Sequence, residues 1–476
     1  MLEAPPDVFT PEDFTSEHCA IAKTTEDFWT REVFPNLEAI QQQDFAVLTR
    51  TLRRSAELGL VGVLLPEEFG GIELDLISSM IVAEGIGPDG SYAVCHGAQS
   101  GIGALPVFLF GTDEQKHKYL PRLASAELIA AYCLTEAQAG SDALAARTRA
   151  DLSADGSHYV LNGQKMWITN GGIADLFTVF AKVDGEKFTA FLVERAYAGV
   201  TPGAEEHKMG LHGSSTTALY LDNVAVPVEN VLGEVGRGHI IAFNVLNIGR
   251  LKIGPYAAGA SKEVLALSLA YASERKAFGK PIAEFGAIQH KLAEMAVRIF
   301  AVESMYWRVV GLLQKAATSQ ELAQECSIVK VYASEAVGYV VDEGVQIHGG
   351  YGYHHDYAVE RFYRDARIFR IFEGTNEINR ALISRDPEVG TPLADIAIQT
   401  FALESAELRA QKLGAHAQDL CALVRHQAEE RIESATREIH AARGSEPPAC
   451  AATPVDAIAL RRKIARRLLD AGRYVV

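Results

Sequence analysis

The sequence predicts an α+β protein in which a helical region is followed by a β domain and then by a second helical region. Three observations predict it. Apolar residues repeat with a helical period up to about residue 130, the period falls to two between about 131 and 237, and the helical period returns after about 238. Domains are therefore expected at 1–130 (helical), 131–237 (β) and 238–386 (a four-helix bundle), with a helical or flexible extension over 387–476.

In the first region, Phe45 to Leu58 and Gln115 to Leu123 carry helical stripes, and Leu60 to Pro66 leads into a tight turn at Glu67-Glu68-Phe69-Gly70-Gly71. In the second, Asn162-Gly163 between Tyr159–Leu161 and Lys165–Thr169 predicts a type I′ hairpin, because this pair accepts positive φ. Asp184-Gly185 predicts another, between Phe177–Val183 and Phe188–Val193. In the third, Phe285, Ile288, Leu292, Met295 and Ile299 form one apolar stripe, and similar stripes recur to Val345, as core packing in a bundle requires. Beyond about 390 the chain becomes rich in Ala, Glu and Arg. Gly444 to Pro448 reads as a linker, and Arg461 to Leu469 as a basic amphipathic helix. A solvated face explains that helix; contact with a membrane surface is the sharper alternative.

The 476 residues are 48% hydrophobic and 22% charged, enough to bury a large core in several domains. A net charge of −16 opposes nucleic-acid or anionic-membrane binding. The six cysteines (Cys19, Cys95, Cys133, Cys326, Cys421 and Cys450) show neither disulfide nor metal-ligand spacing, so no metal is expected. The early residues are acidic (Glu3, Asp7, Glu12, Asp13), unlike a targeting leader, and no run approaches about 18 apolar residues. These observations lead to the expectation of a cytoplasmic enzyme.

Four motifs carry candidate chemistry. Tyr132-Cys133-Leu134-Thr135-Glu136-Ala137-Gln138-Ala139-Gly140-Ser141-Asp142 offers backbone N–H groups and hydroxyls on a turn. Trp167-Ile168-Thr169, followed by Asn170-Gly171-Gly172, puts an aromatic on a strand, where a lone Trp is ordinarily core. Arg275-Lys276-Ala277-Phe278-Gly279-Lys280-Pro281-Ile282, ahead of Gln289, supplies a guanidinium fork suited to pyrophosphate. The fourth joins Gln346-Ile347-His348-Gly349-Gly350-Tyr351-Gly352 to Arg364-Asp365-Ala366-Arg367 and Phe372-Glu373-Gly374-Thr375-Asn376-Glu377. Its glycines permit close backbone approach, and His348 reads as a packed or exposed side chain rather than a base.

In this order, over about residues 30–386, the motifs resemble the acyl-CoA dehydrogenases, and the stretches Lys208-Met209-Gly210, Val231 to Gly236, Glu303-Ser304-Met305 and Ile368 to Glu373 resemble most the very-long-chain members. The resemblance implies a central β-barrel domain between helical domains. It implies FAD bound by Tyr132, Leu134, Thr135, Gly140, Ser141, Trp167, Ile168, Thr169, Arg275, Phe278, Gln289, Gln346, Gly349, Gly350, Thr375, Asn376 and Glu377. Substrate would meet Ser141, Asn247, Arg250, Phe372 and Gly374, with Glu373 as the base that removes the α-proton. The thioester carbonyl would sit between the Glu373 N–H and a ribityl hydroxyl of FAD. Arg275 would reach the FAD of a neighbouring subunit, implying a homodimer or homotetramer, and electrons would pass to an electron-transfer flavoprotein. Some relatives place the base where this chain has Gly249, which leaves Glu373. Small residues over Cys95 to Gly103 imply a deep tunnel for long-chain fatty acyl-CoA. The tail after 386 is short and matches poorly the extra domain of the very-long-chain members. An acyl-CoA oxidase and an assembly or scaffold protein of the same architecture are the alternatives.

Overall fold

The computed structural model describes residues 8–448 and 455–476, so that Glu3, Asp7 and Cys450 lie outside the described residues. The chain divides into two compact units. A β-containing unit comprises residues 20–249 with 318–320, and a helical unit comprises 8–19, 250–317 and the chain from 321 onward.

The β-containing unit starts within α1 (Ser16–Phe28) and continues through α2 (Leu37–Gln41), α3 (Phe45–Glu57), α4 (Leu76–Ile86), α5 (Gly90–Gly97), α6 (Leu105–Phe110) and α7 (Asp113–Ala124). Side-chain caps set several starts. Asp44 accepts from Ala46 and Val47 N–H, Asp75 from Ser78 and Asp89 from Tyr92, each satisfying donors that a first turn leaves unpaired. From Gly90 to Phe110 the chain is helical for 21 residues with a mean hydropathy of 1.3, although Ser91, His96, Gln99 and Ser100 interrupt its apolar residues. That stretch is 61% buried inside the protein, so its apolar side chains serve as core.

The strands are β1 (Ala130–Cys133), β2 (Arg149–Leu152), β3 (His158–Thr169), β4 (Leu176–Val183), β5 (Lys187–Glu194), β6 (Val200–Glu205), β7 (Thr216–Pro227) and β8 (Val231–Leu232). They form one sheet in the order β6-β7-β3-β2-β4-β5-β8, with β1 parallel to β4. The expected barrel is thus a sheet whose hydrogen-bonded path ends at β6 and β8 without closing. Asp184-Gly185 turns between β4 and β5 with φ of 54° and 77°, as expected.

Asn162-Gly163 does not turn. It lies inside β3 at a register shift against β7. The Asn162 carboxamide accepts from Asn223 N–H on β7, and a Cβ at Gly163 would stand 2.8 Å from Thr148 Cα, so the glycine answers a close approach rather than a reversal. The hairpin into β3 falls earlier, at Asp155-Gly156. There the Asp155 carboxylate accepts from Ser157 N–H and from the Ser153 and Ser157 hydroxyls.

The chain then runs through α8 (Gly238–Glu274), a two-stranded hairpin β9 (Lys276–Ala277) and β10 (Lys280–Pro281), α9 (Gly286–Leu313), α10 (Ala323–His348), α11 (Val359–Ala366), α12 (Asn376–Ile383), α13 (Gly390–Leu413), α14 (Gln418–Ala442) and α15 (Ala457–Ala471). Among the described residues, the extension after 386 holds the helices α13, α14 and α15, all packed on α9. Ile464, Ala465 and Leu468 of α15 are fully buried, while Arg461 pairs with Glu294 and Lys463 with Asp419, both at 2.8 Å. The amphipathic helix therefore spends the apolar side chains of its middle turns on its own protein.

A polar knot ties the ends of the helical unit. Glu303 accepts from Arg409 and from the Tyr474 hydroxyl, both at 2.9 Å, and is paired with Lys262, while Arg409 also donates to Glu12 at 2.8 Å.

Candidate functional site

The loop between α11 and α12 holds Glu373 in a backbone conformation that L-residues avoid, with φ of 57°, followed by Gly374 at 81°. Three carbonyls of this loop are gripped by side chains. Asn379 donates to those of Glu373, Gly374 and Thr375; Arg250 donates to that of Glu373 at 3.2 Å; and Lys330 donates to that of Gly374 at 2.7 Å. Thr375 caps α12 by accepting from Ile378 N–H. Strain at Glu373 is thereby overdetermined by its surroundings.

The Glu373 side chain is partly exposed, but its Oε2 is buried and has no hydrogen-bond partner. Burial pushes the carboxyl up to about 7, against the opposing charges of Arg250 and Lys330. Burial also pulls the Lys330 ammonium down to about 8, opposed by the charge of Glu373. Tyr256 lies close enough for its hydroxyl to be raised by burial and then by the Glu373 charge, and that hydroxyl too is buried without a partner. A carboxyl poised near neutrality, fixed on a rigid loop with an unsatisfied oxygen, is equipped to take a proton from carbon.

The motif reading missed Lys330, Tyr256 and Asn379. Lys330 interrupts the apolar run Ile328-Val329-Lys330-Val331 and is fully buried, and that interruption was the signal available. Asn376, expected at a cofactor, has its carboxamide used inside the chain by Lys330, Ser334 and Glu335. Phe372 stacks on Phe369 at 5.3 Å, and Glu377 is exposed.

Within the β-containing unit, the end of β1 and the middle of β3 run side by side. Met166 N–H donates to the Thr135 carbonyl at 2.9 Å, and buried Lys165 reaches the Leu134 carbonyl and the Glu136 carboxylate at 3.2 and 2.7 Å. Between Lys165 and Ile168 the β3 register shifts, and Trp167 stands out of the ladder with φ of 54° and 59% exposure. A strained, exposed indole is the reverse of the core Trp that a strand ordinarily holds. Tyr132, Leu134 and Ile168 are buried, Thr135 and Thr169 half-buried, and Gly140 and Ser141 exposed. Asn247 is buried on α8 and makes a long hydrogen bond to the Ser319 carbonyl.

The remaining predicted residues lie in the helical unit. Arg275 and Phe278 sit on the β9–β10 hairpin, where Phe278 has φ of 52° and is 96% exposed, and Gln289 donates to the Ala283 carbonyl. Gln346, Gly349 and Gly350 end α10 in the open, and a Cβ at either glycine would touch nothing of the chain. His348 is buried, stacked on Tyr271 at 4.3 Å and bonded to the Gly344 carbonyl, the packed one of the two readings the sequence left open.

Family models for the acyl-CoA dehydrogenase N-terminal, middle and C-terminal domains match residues 15–127, 131–224 and 236–387. A crystal structure of an acyl-CoA dehydrogenase from Bacillus anthracis, complexed with FAD, superposes with a TM-score of 0.94 at 43% identity, covering 98% of this chain and 97% of that one. The chain belongs to the acyl-CoA dehydrogenase family. A "Probable acyl-CoA dehydrogenase" of Bacillus subtilis (strain 168) is 53% identical over 392 residues, 79% of this chain and 66% of that protein. The mitochondrial very long-chain specific acyl-CoA dehydrogenase of Bos taurus is 45% identical over 344 residues, 70% of this chain and 52% of that protein. The chain thus spans between half and two thirds of the length of these curated relatives. A further family model, also for an acyl-CoA dehydrogenase C-terminal domain, matches residues 377–445. The tail is therefore family sequence, which corrects the expectation that the resemblance stops near 386.

Proposed function

We propose that this acyl-CoA dehydrogenase family member converts a long-chain fatty acyl-CoA to the trans-2-enoyl-CoA, with FAD as cofactor and Glu373 as base. The single observation that carries the reading is the Glu373 carboxyl, raised to about 7 with Oε2 buried and unsatisfied on a loop gripped at three carbonyls. The α C–H bond breaks and its proton passes to this oxygen; the β C–H bond breaks and leaves with both electrons. FAD, when bound, supplies the acceptor for that hydride. The backbone N–H of Glu373 would donate to the thioester oxygen as negative charge develops there.

The residues present fit such a cofactor. Trp167 offers an exposed indole face held off its strand, Gly349 and Gly350 leave unfilled space where a side chain would stand, and Arg275 presents an exposed guanidinium over the ring of Tyr351 at 5.7 Å. The exposed Phe278 and Arg275 support completion of the site by a second copy of the chain, as a homodimer or homotetramer. An electron-transfer flavoprotein is the acceptor that the family resemblance supports.

Long-chain preference is supported by Gln99, the largest polar side chain between Ala98 and Gly103. Its amide donates to the Leu123 and Leu128 carbonyls and accepts from Ala130 N–H, so its polar end is turned to the backbone rather than to an apolar chain. Anaerobic titration with acyl-CoAs of increasing length tests the proposal by flavin absorbance: bleaching should strengthen with chain length and vanish in Glu373→Gln. Bleaching in that variant at the wild-type rate would refute the role of Glu373.

A further inference from the structure

Helices α9, α10, α11, α13 and α14 and the turn after α11 line an open cavity of about 510 Å³, entirely within the helical unit. Its lining includes none of Arg250, Tyr256, Lys330 or Glu373, and nothing in the proposed dehydrogenation uses it. Arg298, Tyr332, Tyr339, Arg367, Arg370 and Arg431 converge on it.

Several of the more buried guanidiniums of this unit meet carboxylates: Arg364 with Glu360, Arg380 with Glu335 and Asp395, Arg409 with Glu303. With 61 acidic against 45 basic residues, carboxylates are plentiful. Yet Arg367, Arg370 and Arg431 have neither an ion-pair nor a hydrogen-bond partner among the described residues. Two acids line the cavity. Glu335 is already engaged by Arg380, which leaves Asp342 against three free guanidiniums. An excess of unpaired, forked donors facing one space is the arrangement that recognises phosphate oxygens.

One backbone position is fitted to this arrangement. Gly338 lies inside α10, where glycine costs about 1 kcal/mol relative to alanine. A Cβ there would stand 2.3 Å from Nη2 of Arg370, so the missing side chain lets that guanidinium lie against the helix at the cavity wall. Rings flank the charges: Tyr332, Tyr339 and Tyr363 line the space, and Arg298 already lies over Tyr339 at 3.6 Å. The volume falls within the range of roughly 300–1,000 Å³ typical of small-molecule sites.

We propose that this cavity binds a nucleoside diphosphate, its two phosphates held by Arg367, Arg370 and Arg431 and its base laid against the tyrosines. The test is calorimetric titration of the FAD-loaded protein, at low ionic strength, with ADP, inorganic pyrophosphate and adenosine. ADP should bind with saturable heat, pyrophosphate about tenfold more weakly, and adenosine not at all up to about 5 mM. Arg370→Gln should weaken ADP by at least about tenfold. Gly338→Ala keeps every charge and favours the helix, but displaces Arg370, and should weaken ADP comparably. It decides the matter should Arg370→Gln fail to fold. The proposal is overturned by absence of ADP binding, by adenosine or pyrophosphate binding as tightly as ADP, or by Gly338→Ala binding ADP as the wild type does.

Discussion

Lys330 Nζ donates to the carbonyl of Gly374 at 2.7 Å, so a fully buried ammonium fixes the peptide next to the proposed base. The same nitrogen binds the Asn376 carboxamide at 2.7 Å, and its charge favours the ionised form of Glu373. Lys330→Met removes both the tether and the charge. The acid limb of the kcat/KM profile should move to higher pH, and activity at pH 7 should fall by roughly ten- to a hundredfold. A pH–rate series on the two proteins measures this; an unmoved limb would assign Lys330 a purely structural part.

A base raised to about 7 must be ionised to act, so wild-type kcat/KM should climb as pH rises through about 7 and level off above it. Glu373→Gln keeps the shape and should lose several orders of magnitude in turnover while retaining FAD.

Stability should respond in the opposite sense. Because the folded-state pKa lies above the ordinary 4.5, the wild type holds its full contribution below about pH 4.5 and loses it as pH rises through about 7. Relative to Glu373→Gln, which does not titrate, the wild type should lose on the order of 1–3 kcal/mol between pH 5 and 8. Denaturant melts of both proteins at the two pH values provide the comparison.

Trp167→Ala should purify with little FAD yet melt as the apo wild type does within about 1 kcal/mol. The indole is 59% exposed and its φ of 54° is unfavourable for a side chain. Flavin-to-protein absorbance ratios and apo melting curves separate the two effects.

The Glu303 knot predicts acid sensitivity. Burial alone would raise this carboxyl, yet Lys262 and Arg409 hold it down at about 2. Its stabilisation is therefore present above about pH 4.5 and lost as pH falls toward 2. Arg409→Met leaves Glu303 and Glu12 short of a cation and should cost about 3 kcal/mol near neutral pH, with a milder acid transition. Urea midpoints between pH 3 and 7 follow it.

What the sequence revealed and what it concealed divide along physical lines. Period changes located helices and strands because burial of one face imposes them, and Asp184-Gly185 marked a real reversal. Asn162-Gly163 misled because glycine has two uses, positive φ and absence of bulk, and only the neighbouring Thr148 shows which applies. Glu373 was legible from its motif, and burial gives the upward direction of its pKa, but the size of the shift was not legible, since the charges that oppose it come from Lys330 and Arg250, more than forty and a hundred positions away in the chain. Lys330 was overlooked because a lysine in a helix ordinarily reaches solvent. The basic helix α15 was read from its arginines, whereas Ile464 and Leu468, four residues apart, decided where it docks.

The left-handed backbone at residue 373 sets a trap for directed evolution. Glycine there would relax the loop and also delete a carboxyl that resists burial, so a library sorted only for survival on heating would enrich inert proteins. Any campaign to harden this scaffold needs a turnover screen at every round.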